Sequence, residues 1–171
     1  MIKICITGPE SSGKTTLATQ LAEHFEAQLI SEFAREYLEE HGPEYQESDL
    51  LTIAQVQFER ESRAKGNMII CDTGLEVIQI WSEWKYGDCH SWIKEKVLRA
   101  DYDLYLLCRP DLPWEADPLR ESERDLNELF RRYGAVISKS SIPSRIVSGI
   151  GPIRLQTALT FINEIIKKDR R

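Results

Sequence analysis

Short apolar runs alternate along the chain with longer stretches whose apolar residues recur at helical spacing. Residues 2–7, from Ile2 to Thr7, are almost continuously apolar, as expected of a strand covered on both faces. Residues 14–25 place Leu17, Leu21, Ala22 and Phe25 on one helical stripe. A second short strand is expected at 27–31 and a helix at 32–41, closed by Gly42-Pro43. Ser48 or Asp49 can cap a long helix to about Lys65, with Leu51, Ala54, Val56 and Phe58 turned inward, before Gly66-Asn67 breaks it. Further strands are expected at 68–71, 104–108 and 144–147, and helices at 75–84, 92–99 and 125–133. A last helix runs to Lys168 after the Gly149-Ile150-Gly151-Pro152 turn. Residues 109–121 hold three prolines and no clear period, so they read as a loop. Strands alternating with helices predict an α/β fold: a five-stranded, mainly parallel sheet between two helical layers. The 171 residues suit one domain, spanning 1–171, with a small lid at about 110–125.

Composition narrows the classes. Hydrophobic residues make up 42% and charged residues 29%, enough for a packed core under an ordinary polar surface. A net charge of −6 argues against general nucleic-acid binding. No apolar run approaches the ~20 residues of a membrane-spanning helix, and the N-terminal run passes straight into polar glycine chemistry rather than a leader. Cys5, Cys71, Cys89 and Cys108 match no metal or redox spacing. Three of them sit in or beside apolar runs as small hydrophobes, and reducing cytoplasm is the expected setting.

The candidate chemistry begins at GPESSGKTT, residues 8–16. Gly8, four residues, then Gly13-Lys14-Thr15 is the phosphate-binding P-loop spacing, with a strand before it and a helix after. Glycines let several N–H groups converge on one anion, and a helix N-terminus adds positive charge. Lys14 can reach the β- and γ-phosphates of ATP, and the Thr15 hydroxyl can meet Mg²⁺. Asp72 closes an apolar strand, where carboxylates face the ligand crevice of parallel sheets. It could serve Mg²⁺, take a proton from an attacking hydroxyl, or cap the next helix. Arg120 and Arg124 lie one helical turn apart in the lid stretch and could balance charge on a transferring phosphoryl group, or simply pair with Glu121 and Glu123. Glu32, Arg35 and Tyr37 follow the second strand and could border an acceptor. Trp81, Trp84 and Trp114 could stack a flat ring or pack, Trp114 standing in a loop. Residues 147–153, with Ser148 and Gly149, could meet the adenine edge, or form a plain turn.

Four segments together resemble the ribosylnicotinamide kinase domain at the C-terminal end of bifunctional bacterial NAD-biosynthesis regulators: GPESSGKTTLA (8–18), SEFAREY (31–37), IICDT (69–73) and PWEADPLR (113–120). The resemblance implies the three-layer P-loop NTPase fold and a nucleoside-type kinase passing the γ-phosphate of ATP to the 5′-hydroxyl of nicotinamide riboside. It implies that Gly8, Glu10, Ser11, Ser12, Gly13, Lys14, Thr15 and Thr16 hold ATP, and that Thr15 and Asp72 serve Mg²⁺. Arg120 would belong to the lid, and Glu32, Arg35, Tyr37 and Trp114 would border the acceptor. Gly74 departs from the family, which often carries a polar or acidic residue there. The implied unit is the kinase module alone, without the regulator's DNA-binding and adenylyltransferase parts. Two other readings stay open: a kinase for another small molecule or a nucleoside monophosphate, and a P-loop ATPase or switch with a protein partner.

Overall fold

The computed structural model describes residues 1–115 and 123–169. Its five strands form one sheet in the order β2-β3-β1-β4-β5, with every adjacent pair parallel. They are β1 (Ile2–Thr7), β2 (Gln28–Ile30), β3 (Met68–Asp72), β4 (Leu104–Cys108) and β5 (Ser144–Val147). β1 is central, with Cys5 opposite both Cys71 of β3 and Tyr105 of β4. Its buried residues explain the unbroken apolar pattern, because helices cover both faces.

On one face pack α1 (Lys14–Phe25) and α7 (Pro152–Asp169), whose Leu17, Leu21, Ala158 and Ile162 meet Ile4, Ile6, Leu104 and Leu106. The other face carries α2 (Phe33–His41), α3 (Glu47–Arg63), α4 (Leu75–Tyr86), α5 (Ser91–Leu98) and α6 (Leu126–Ile137). Their Leu50, Ile53, Ile78, Ile93 and Leu129 close over Cys5, Cys71 and Tyr105. All four cysteines are free and buried, as small hydrophobes in the core. No helix of the described residues is long and apolar enough to cross a membrane.

The α3 stripe differs from the expected one. Leu50, Ile53, Ala54, Gln57 and Glu61 face inward, whereas Phe58 is more than a third exposed. Two polar residues hold the inward stripe because they have buried partners. Gln57 donates to Glu61 Oε1 at 3.2 Å and accepts from the Phe33 N–H at 2.9 Å. Glu61 Oε2 accepts from Tyr102 at 2.7 Å and lies 3.3 Å from Lys3 Nζ. The helix starts earlier than expected, at a capping box in which Gln46 is the N-cap and Asp49 the third helical residue. There the Asp49 carboxylate accepts the Gln46 N–H at 2.7 Å. β3 also extends one residue further, to include Asp72, and α6 continues to Ile137.

Candidate active site

β1 delivers the chain to the C-terminal edge of the sheet at Thr7, between β3 and β4. Gly8 then turns with φ 138°, and a Cβ there would stand 2.6 Å from the Cys108 carbonyl oxygen. The loop therefore lies directly on the β4 backbone, a contact only glycine permits. Ser11 (φ 53°) and Gly13 (φ 72°) carry the turn into α1, and no side chain caps that helix. Its first amides are left to an incoming anion. Lys14 donates to the Pro9 carbonyl at 2.8 Å and Ser12 to the same oxygen at 2.7 Å, which folds the lysine back over its own loop.

Two carboxyls face this loop from neighbouring elements. Asp72 ends β3, is buried, and one of its oxygens, Oδ1, has no hydrogen-bond partner. Burial raises its carboxyl above the usual range, while the Thr15 hydroxyl, Lys14 and Arg35 pull it down. Glu32 precedes α2 and lines the cavity. Burial pushes its carboxyl up to about 7; Lys14 opposes that shift and the nearby Asp72 adds to it. An orphaned buried carboxylate oxygen with a threonine hydroxyl beside it suits a hard divalent cation that keeps most of its other ligands from water and phosphate.

The cavity beneath these groups holds about 440 Å³. Glu10 through Thr16, Glu32 and Arg35 line it, as expected. Arg35 also donates to Glu39 one turn on, at 3.0 Å. Its wall is completed by residues the sequence did not single out, among them Leu38, Val77 and Tyr133, and by Trp81. Trp81 stacks on Tyr45 at 6.2 Å between centroids, so its ring is held against the cavity wall. Leu112, Pro113 and Glu115 approach from the other side, the Glu115 N–H donating to Ser11 Oγ at 3.0 Å. Residues 112–115 thus pack on the P-loop, with half-buried Trp114 among them; most of the segment expected as a lid, Arg120 included, lies outside the described residues. Arg124 is exposed in the 3₁₀ turn before α6.

Tyr37 sits further along α2, its hydroxyl donating to Asp49 at 3.1 Å and its ring stacked on His41. Of the 147–153 turn, Ile150 and Gly151 line the cavity; Ser148 is exposed, and the Gly149 N–H donates to Asp111 Oδ2 at 2.7 Å. Gly74 has a packing reason: a Cβ there would strike the Tyr102 hydroxyl and the Glu76 carboxylate. Glu76 Oε1 instead accepts the Gly74 N–H at 3.1 Å.

Arg154, at the start of α7, also went unsuspected. It is 5% exposed and part of the cavity wall. Beside it, partial burial raises the Asp111 carboxyl, but the Gly149 N–H and the Arg154 guanidinium outweigh that and hold it below the usual range. The available signal was periodicity: residue 154 is four before Ala158 and eight before Ile162, so a charged residue occupies the buried stripe.

A glycine-turned anion loop between the central parallel strand and its helix, at the C-terminal edge of a doubly covered sheet, defines the P-loop α/β class. The AAA domain family model matches residues 3–153, and the chain belongs to that family. It is 29% identical, over 124 residues, to the trifunctional NAD biosynthesis/regulator protein NadR of Salmonella typhimurium (strain LT2), and equally to that of Escherichia coli (strain K12). Each match covers 68% of this chain and 30% of the relative, so the chain spans under a third of the length of those relatives. These matches bear out the resemblance carried by the four segments. Among solved structures, a NadR protein in complex with NR superposes with a TM-score of 0.74 at 18% identity, over 96% of this chain and 51% of that one. Shikimate kinase from Acinetobacter baumannii superposes with a TM-score of 0.61 at 15% identity, over 100% of this chain and 96% of that one. These likenesses show the three-layer P-loop α/β fold expected from the sequence.

Proposed function

We propose that this chain is a kinase that transfers the γ-phosphoryl group of ATP to the 5′-hydroxyl of nicotinamide riboside. The observation that carries the reading is the shared cavity. Lys14 and the open amides of α1 stand on one wall, and Glu32 and Arg35 on another, with Asp72 buried beside Thr15. A phosphate chain on the loop and an alcohol near Glu32 would meet within one enclosure, and the similarity to NadR supports this acceptor. We read residues 1–171 as one kinase domain whose 110–125 segment serves as its lid.

Each residue has a part. The loop from Gly8 to Thr16 holds the phosphates through backbone N–H groups, with Lys14 exchanging its Pro9 contact for them. Thr15 and Asp72 would hold Mg²⁺, which when bound neutralises phosphate charge. That role uses the Asp72 oxygen that has no protein partner. Glu32, with its raised affinity for protons, is suited to take the proton of the attacking hydroxyl. Arg35 orients the acceptor, and Trp81 with Tyr133 offers an aromatic wall to a flat ring. Ile150 and Gly151, with Ser148 and Gly149 behind them, border the base of the nucleotide. Arg120, a lid residue by the resemblance, and Arg124, one helical turn on, bring positive charge to the transferring group, and Trp114 flanks the acceptor as the resemblance implies. Closing the cavity excludes water, so the alcohol is attacked instead.

The test is a coupled assay of ADP release with ATP and Mg²⁺, with and without nicotinamide riboside, in parallel with a panel of nucleosides, nucleoside monophosphates and shikimate. Release that depends on nicotinamide riboside, with the mononucleotide as product, is expected. Equal ATP turnover without any acceptor would replace this reading with an ATPase, and preference for another alcohol would replace the substrate.

A further inference from the structure

Four of the five N–H groups of the Arg154 guanidinium are committed, and each reaches a different segment or group at the sheet edge. Nη2 donates to the Ser12 carbonyl in the P-loop and to the Arg109 carbonyl just after β4, both at 2.7 Å. Nη1 donates to Asp111 Oδ1 and to the Gly149 carbonyl in the β5–α7 turn, again at 2.7 Å. Asp111 closes the ring by accepting the Gly149 N–H through its other oxygen. One guanidinium thus joins three segments. The fifth N–H, on Nε, is buried without a partner. A Cβ on Gly13 would lie 3.8 Å from it, so this donor borders the turn into α1. Only a planar fork can serve four acceptors in this way, and a lysine ammonium cannot.

We propose that Arg154 is a positioning residue for nucleotide binding: it locks the P-loop, the root of the β4–α6 connection and the β5–α7 turn into one unit, so that a nucleotide in the cavity stabilises all three together. The proposal rests on the nucleotide-binding part of the reading above and not on the identity of the acceptor. Its physical basis is pre-organisation. An anion-binding loop whose Ser12 carbonyl is tied back presents its amides without first ordering them. Because occupied and empty states differ in how firmly the loops are held, nucleotide affinity and loop order are linked.

Two variants of the full chain test this, Arg154→Lys and Asp111→Asn, with two measurements. The first is amide hydrogen exchange without nucleotide over residues 8–14, 107–112 and 147–152. Exchange should quicken in all three segments together in Arg154→Lys, and mainly in the last two in Asp111→Asn. The second is calorimetric binding of a non-hydrolysable ATP analogue, whose Kd should rise about tenfold in Arg154→Lys, a typical coupling between linked sites. KM for ATP should follow, with KM for the acceptor unmoved. Should Arg154→Lys fail to fold, Asp111→Asn carries the test: quicker exchange over residues 107–112 and 147–152 with a raised Kd is expected, and the absence of both changes would overturn the proposal. A lower melting temperature with unchanged Kd and unchanged exchange over residues 8–14 would overturn the proposal and leave Arg154 a packing residue. Wild-type protein that binds the analogue but phosphorylates no nicotinamide riboside would instead defeat the proposed substrate and leave this inference standing.

Discussion

At the scale of single residues, the site sets two carboxyls of different ionisation against one ammonium. Lys14 donates to the Pro9 carbonyl, which a phosphate can replace, and forms no ion pair among the described residues. Lys14→Ala should therefore cost on the order of 100-fold or more in turnover, measured by steady-state ADP release, with little loss of melting temperature. Glu32 sets a pH dependence. With its carboxyl lifted from 4.5 to about 7, it must lose a proton before it can act as a base, so kcat/KM should rise through about pH 7 and Glu32→Gln should abolish that limb. The same shift acts on stability with the opposite sign. Between about pH 4.5 and 7 the folded chain binds more protons at this site than the unfolded chain, so its contribution falls as pH rises. Comparing melting temperatures of wild type and Glu32→Gln across that window should show the variant losing less as pH increases.

At the scale of elements, much was legible because the strongest signals are local. Gly8 and Gly13 stand at positive φ, and the strand boundaries of β1 and β4 follow from nearly continuous apolar runs. The α3 face is only partly legible, because Ala54 is inward as its hydrophobicity suggests but Phe58 is exposed and two polar residues are buried. Gln57 and Glu61 are inward through partners on Phe33 and Tyr102, which lie 24 and 41 residues away in the chain. Arg154 was hidden for the same reason, since its acceptors are carbonyls brought together only by topology. The start of α3 gives a test. Asp49 serves the capping box and also receives the Tyr37 hydroxyl. Asp49→Ala should lower stability by about 1 kcal/mol, the usual worth of such a cap, as read from the urea midpoint. It should also free Tyr37, on the helix that carries Arg35, so any accompanying change in KM for the acceptor alone would trace to α2.

At the scale of the whole molecule, the two helical layers are joined to the sheet by apolar packing, with one charged group crossing from β1 to α3. Lys3 and Glu61 are both over nine-tenths buried; Lys3 Nζ lies 3.3 Å from Glu61 and donates to Asp101 at 2.7 Å, and Glu61 also accepts from Tyr102. Glu61→Ala leaves Lys3 its Asp101 partner but strands the buried Tyr102 hydroxyl and should cost about 1–3 kcal/mol, visible in chemical denaturation, whereas surface pairs such as Arg99 with Glu95 should be worth under about 1 kcal/mol. Chain order has its own effect, since β1 precedes β3 and β4 in the chain yet ends up flanked by both. A growing polypeptide released before Cys108 emerges would have the GPESSGKTT segment but no floor beneath Gly8, and the apolar flank of its earliest strand would stay open to other chains. Stalling or truncation in that interval would leave β1 without its β4 neighbour and open to pairing between chains.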